Sequence, residues 1–156
     1  MKTLIAALLC LAVPSVALAA DNNSYKVSYD GGSVQSLKSG TSAGLAIDPT
    51  QTRLVKDKKD VVTIPASSIT EISYGQDVHR RIGTAVGLAV VSFGIGALVA
   101  FSKSKKHFVG VTYANGEQKG GFVMQCDKDD YRGILMALEG ITGKKAVDSD
   151  SMTVKN

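Results

Sequence analysis

The chain has 156 residues, a formal net charge of +4, 44% hydrophobic residues and no tryptophan. Its basic excess is local: no acidic residue lies between Asp77 and Glu117, whereas Arg80, Arg81, Lys103, Lys105 and Lys106 do. The rest is close to neutral, which excludes a general nucleic-acid binder, and the length suits one domain.

Met1-Lys2 is a short positive start, Leu4–Val13 is unbroken and apolar, and Pro14-Ser15 is followed by the small-residue pattern Ala17-Leu18-Ala19. Residues 1–20 therefore read as a cleaved secretory signal peptide. Cys10 lacks a small residue just before it, which argues against a lipid anchor. Cys126 is then the only cysteine of the mature chain, so an intrachain disulfide is excluded and a small buried thiol is expected.

Tyr25–Tyr29 alternates at period two and stops at Asp30-Gly31-Gly32, a strand and a turn. Ala43–Ile47 and Thr52–Lys56 read as short strands separated by Asp48-Pro49-Thr50. Lys56–Asp60 is a charged hairpin tip before Val61–Ile64, which Pro65 closes because it cannot donate to a ladder. Ser68–Tyr74 is a further strand. After the apolar run Ile82–Phe101, His107–Tyr113 alternates with Val109, Val111 and Tyr113 on one face. Asn115-Gly116 signals a hairpin, and Phe122, Met124 and Cys126 continue the alternation, with Gly120-Gly121 as a bulge candidate. Asp127 is placed to cap a helix, with Asp129 and Asp130 in its first turn. Tyr131, Ile134, Leu135, Leu138 and Ile141 form its apolar stripe, and Gly140 and Gly143 end it. Residues 146–156 read as a disordered polar tail.

This order predicts a mainly β fold: a small antiparallel barrel or sandwich closed by a C-terminal helix, over residues 21–145, with an apolar helical insert at 80–103. Short strands with charged tips, Val62-Thr63-Ile64-Pro65, Ser68-Ile69-Thr70-Glu71-Ile72 and the closing helix resemble bacterial PH-like (GRAM-like) domains over roughly Tyr25–Gly143. The chain is also similar to uncharacterised exported bacterial proteins in which such a domain carries a hydrophobic insert followed by Lys-Lys-His-Phe, here Lys105–Phe108. The resemblance implies binding of lipids or peptides rather than catalysis. The early strands lack the dense Lys/Arg cluster that inositol phosphates require.

The apolar run admits three readings. Its length, about 20 residues, and its basic flanks match one membrane span. A span would, however, place the last hairpin and helix across the bilayer from the strands they cover. A membrane-dipping hairpin bent at Ser92–Gly96 keeps both flanks on one side, and a buried helix or helix pair is the third reading. Gly83 and Gly87 would permit close helix packing. In the membrane readings Arg80, Arg81, Lys103, Lys105 and Lys106 would meet anionic headgroups, each worth about 1 kcal/mol.

No catalytic constellation competes. His79 and His107 lack a third metal ligand, and Asp127, Asp129 and Asp130 lack the glycine and distal glutamate of a calcium loop. Ser33, Ser68 and Ser73 have no nucleophile-elbow context. The expectation is a non-catalytic, cofactor-free binding or scaffold module of the bacterial cell envelope. It would be exported, periplasm-facing and partnered by the lipid bilayer, with a protein or peptide at a sheet edge. The alternative is a glycine-zipper-type membrane protein that self-associates through Gly83 and Gly87.

Overall fold

The computed structural model describes residues 23–86 and 106–152. Eight strands form one sheet: β1 (Asn23–Gly32), β2 (Thr41–Asp48), β3 (Gln51–Lys56), β4 (Lys59–Pro65), β5 (Ile69–Tyr74), β6 (His107–Asn115), β7 (Gln118–Cys126) and β8 (Val147–Asp148). Helix α1 (Val78–Val86) lies between β5 and β6, and α2 (Tyr131–Thr142) follows β7. The strand order is β4-β3-β2-β1-β7-β6-β5-β8. Every pairing is antiparallel except the short parallel one between β5 and β8.

The expected mainly β fold with a C-terminal helix is present, and its period-two pattern sets the two faces of the sheet. Val27 and Tyr29 of β1, Leu45 and Ile47 of β2, Leu54 of β3 and Ile64 of β4 point inward. Ile69 and Ile72 of β5, Val109 and Val111 of β6, and Phe122, Met124 and Cys126 of β7 meet them there. Ile134 and Leu138 of α2 close that interior, with Tyr131, Leu135 and Ile141 packed beside them. Each fully buried Ile or Leu contributes about 1.5–3 kcal/mol. Strands from before and after the apolar run thus share one core.

Two hairpins show how turn chemistry fixes register. Asp57 (φ 52°) and Lys58 (φ 63°) are both left-handed, the two-residue turn that matches strand twist. At the β6–β7 hairpin Asn115 pairs with Gln118, so the turn is Gly116-Glu117, one residue later than Asn115-Gly116 suggests. Gly116 alone takes a positive φ, 62°, and glycine is the residue favoured at that first central position.

Four other expectations are corrected. Gly120-Gly121 is no bulge on the β6–β7 ladder, which runs unbroken; the β1–β7 pairing shifts instead between Tyr29 and Gly31. The N-cap of α2 is Asp130 rather than Asp127, whose carbonyl instead accepts the Tyr131 N–H at 3.0 Å. The tail is ordered through residue 152: Val147 and Asp148 pair with Ser73 and Tyr74, and Asp150–Met152 form a 3₁₀ turn. Composition hid this because two residues of backbone pairing and one carboxylate hold the segment. Finally, the insert does not begin at residue 80. Its helix starts at Val78, because Val78, Ile82 and Val86 recur every four residues and form one apolar stripe through the basic cluster.

The proposed signal peptide (1–20), most of the apolar run, Gly87, Lys103 and Lys105 lie outside the described residues. Among the described residues, no helix is long and apolar enough to cross a membrane.

Candidate functional site at the base of the insert

Alternation along β6 and β7 leaves Phe108, Gly110, Gly121 and Val123 on the face opposite the main core. Val78 and Ile82 of α1 are fully buried there against Phe108 and Val123, with Val86 beside them. The helix sits close because the sheet presents glycines. A Cβ on Gly110 would lie 2.5 Å from Cγ1 of Val78 and 3.1 Å from Cδ1 of Ile82. One on Gly121 would lie 3.0 Å from both Ile82 and Val86. The glycines that permit close packing of this helix are therefore on the strands.

Polar groups fix the helix around that stripe. Arg81 grips Glu71 of β5 through two hydrogen bonds, Nε to Oε1 at 2.6 Å and Nη2 to Oε2 at 2.7 Å. This pairing raises the guanidinium pKa further, the hydrogen bond to Glu71 being the main cause. His79 pairs with Asp30 at the end of β1 and lies edge-on to Phe108, with ring centroids 5.0 Å apart. At the helix base, Oδ1 of Asp150 accepts the Gln76 N–H at 2.6 Å and the Asp77 N–H at 3.1 Å. A carboxylate at this end suits the helix dipole. Nε2 of Gln76 donates to the Lys106 carbonyl at 2.6 Å, tying the start of α1 to the start of β6.

The sequence-predicted collar is thus distributed unequally. Arg80 is exposed, Arg81 is half-buried on Glu71, and Lys106 is half-buried where the chain re-enters the sheet. Arg80, Arg81 and Thr84 of α1, with Asp77 just before it, line an open groove of about 440 Å³ together with Glu71 and Ser149. Gly83 sits half-buried on α1, outside its Val78–Ile82–Val86 stripe.

The two histidines part company because neighbouring strand residues point to opposite faces. His79 contacts Phe108 on the outer side, whereas His107 stacks on Tyr131 of α2 at 4.7 Å. Ser33 is a structural clamp: its Oγ donates to the Gly121 carbonyl at 3.1 Å and accepts the Gly121 N–H at 3.0 Å.

Sequence reasoning missed the docking of α1, the Asp30 and Glu71 partners, and the Asp150 cap. The i, i+4, i+8 spacing of Val78, Ile82 and Val86 could have revealed the first. No local signal marks Asp150, which acts from more than 70 residues away.

Cys126 is buried in the core. Burial, helped by the negative charges of Asp127 and Asp130, pushes its thiol up to about 12. Burial likewise pushes the Tyr29 phenol up to about 12. Both groups stay neutral in the folded chain while their unfolded counterparts ionise, from pH 9.0 for the thiol and 10.0 for the phenol. Stability from both is fully present below pH 9 and is lost as pH rises toward 12. For the thiol alone the slope approaches about 1.4 kcal/mol per pH unit. Urea titrations at pH 8, 9.5 and 10.5 should show this decline, and Cys126→Ala should make it shallower.

No protein-family model matches the chain, and no curated protein is similar to it at a significant level.

Proposed function

We propose that this protein is an exported, membrane-associated binding module of the cell envelope. In this reading its apolar run enters and leaves the bilayer from one side. The single observation that carries the proposal is the pairing of β5 with β6. The run leaves the sheet after Tyr74 and returns at His107, and Tyr74 pairs with Val109. The Gln76–Lys106 hydrogen bond spans 2.6 Å at the same place. A single crossing would have to part its two flanks by about 30 Å, the hydrocarbon thickness. The intact sheet cannot accommodate that, so the proposal is an insert that dips in and returns.

A PH-like architecture is supported by the antiparallel order β4-β3-β2-β1-β7-β6-β5 and by a C-terminal helix packed into the shared core. Its outer strand β4 has no strand partner on one side among the described residues. That edge suits recognition of an extended peptide by backbone hydrogen bonding. Arg80, exposed beside the point where the run departs, would meet anionic headgroups, and Lys106 marks the return. The use of strand glycines against Val78, Ile82 and Val86 favours this reading over self-association through Gly83 and Gly87.

Flotation of the mature chain with phosphatidylethanolamine/phosphatidylglycerol vesicles tests the proposal. The mature protein is expected to float. A variant in which residues 87–105 are replaced by a Gly/Ser linker should stay in solution with an unchanged urea midpoint. A mature chain that fails to float, or a linker variant that floats equally well, sinks the proposal.

A further inference from the structure

The C-terminal segment meets the root of the insert, where the chain leaves β5 and enters α1. β8 adds two residues to β5, the Ser149 N–H donates to the Tyr74 carbonyl at 2.8 Å, and Asp150 holds the two amides that lead into α1. The chain between α2 and this segment, Gly143-Lys144-Lys145, is exposed. Gly75 has φ +116°, and a Cβ there would lie 2.6 Å from Oδ1 of Asp150. The carboxylate therefore seats directly on a glycine.

This attachment carries built-in faults. Ser149 is 4% exposed and Ser73 is fully buried, yet neither hydroxyl has a hydrogen-bond partner among the described residues. Both lie where β8, β5 and α1 meet: Ser73 pairs with Val147, and its Oγ would lie 2.8 Å from a Cβ on Gly110. A buried hydroxyl without a partner loses hydration and gains nothing in return. A parallel pairing of two residues, burdened in this way, is the kind of unit that opens before the global fold does.

We propose that residues 147–152 are a releasable strap whose detachment lets go of the two amides leading into α1 and frees that helix from the outer face of the sheet. The strapped state holds α1 against the sheet, and the released state gives the apolar run that follows it the freedom to reach a bilayer. This second part rests on the membrane reading above.

Amide exchange of the mature full-length chain, read by mass spectrometry without vesicles, tests the strap itself. Residues 78–86 and 147–151 should exchange together, ahead of β6, β7 and α2. Asp150→Ala removes two charge-assisted hydrogen bonds and should speed exchange in α1 by about ten- to a hundredfold, leaving β7 unchanged. Ser149→Ala removes an orphaned hydroxyl and no bond, and should slow exchange in α1 by at least about fivefold. Exchange of α1 that ignores both substitutions overturns the proposal. A second arm measures flotation with phosphatidylethanolamine/phosphatidylglycerol vesicles, which Asp150→Ala should increase and Ser149→Ala decrease. Equal flotation by all three chains overturns the regulatory step. Flotation by none overturns the membrane reading, while the coupling of strap to helix is still judged by exchange.

Discussion

Gly110→Val is expected to loosen α1 on the sheet while leaving the main core in place. The first atom of any side chain at this position would lie 2.5 Å from Cγ1 of Val78, 2.8 Å from Oγ of Ser73 and 3.1 Å from Cδ1 of Ile82. Val78 and Ile82 are fully buried, so neither has slack to yield. Overpacking of this kind costs about 1–3 kcal/mol. Full undocking would expose two apolar side chains worth about 1.5–3 kcal/mol each, about 3–6 kcal/mol together, so the strain loosens the helix rather than releasing it outright. Urea unfolding should report a loss of about 1–3 kcal/mol, and amide exchange should show protection reduced in residues 78–86 but kept in β6. Retained protection in α1 would show that the glycine is dispensable for docking.

Phe122→Ala should be more damaging, because its ring sits in the interior shared by both halves of the chain. Phe122 is fully buried, pairs with Val111 on one side and Gly32 on the other, and belongs to the main core cluster. Truncation of a buried Phe costs about 3–5 kcal/mol, a large share of the roughly 5–15 kcal/mol that holds a domain together. The loss should appear as one cooperative shift of the denaturation midpoint, reported alike by strands before and after the insert. Met136→Ala on α2 is the matched control. That side chain is 72% exposed, and its removal should change stability by no more than about 0.5 kcal/mol. A loss below 1 kcal/mol for Phe122→Ala would mean that the two halves do not share a load-carrying core.

The pattern of what was readable in advance follows from how local each cause is. Alternation in β6 and β7 was plain because Val109, Val111, Phe122, Met124 and Cys126 all answer to one interior. The closing helix was plain for the same reason, through Ile134 and Leu138. Where an element's partner is remote, the signal vanishes. Gly110 and Gly121 resemble loosened strand positions until a helix is seen lying on them. Arg81 looks like a membrane-facing charge until Glu71, ten residues earlier on β5, is seen beneath it. Asp127 and Asp130 carry the same capping side chain, so residue type alone could not choose between them, and the helix starts at Tyr131. The tail read as disordered because nothing in Val147–Asp150 announces a carboxylate aimed at a distant helix.

The β1–β7 pairing also bears on the order in which this protein can be assembled. Val27 bonds alongside Cys126, which the ribosome adds only after all the other strands from β2 to β6. During synthesis β1 to β4 can zip into a local meander, but one flank of β1 stays bare until β7 emerges. Such distant partners make folding slow, because the entropy of closing a long loop is lost before the contact rewards it. The nascent chain therefore cannot join its two halves into one sheet until β7 has been made.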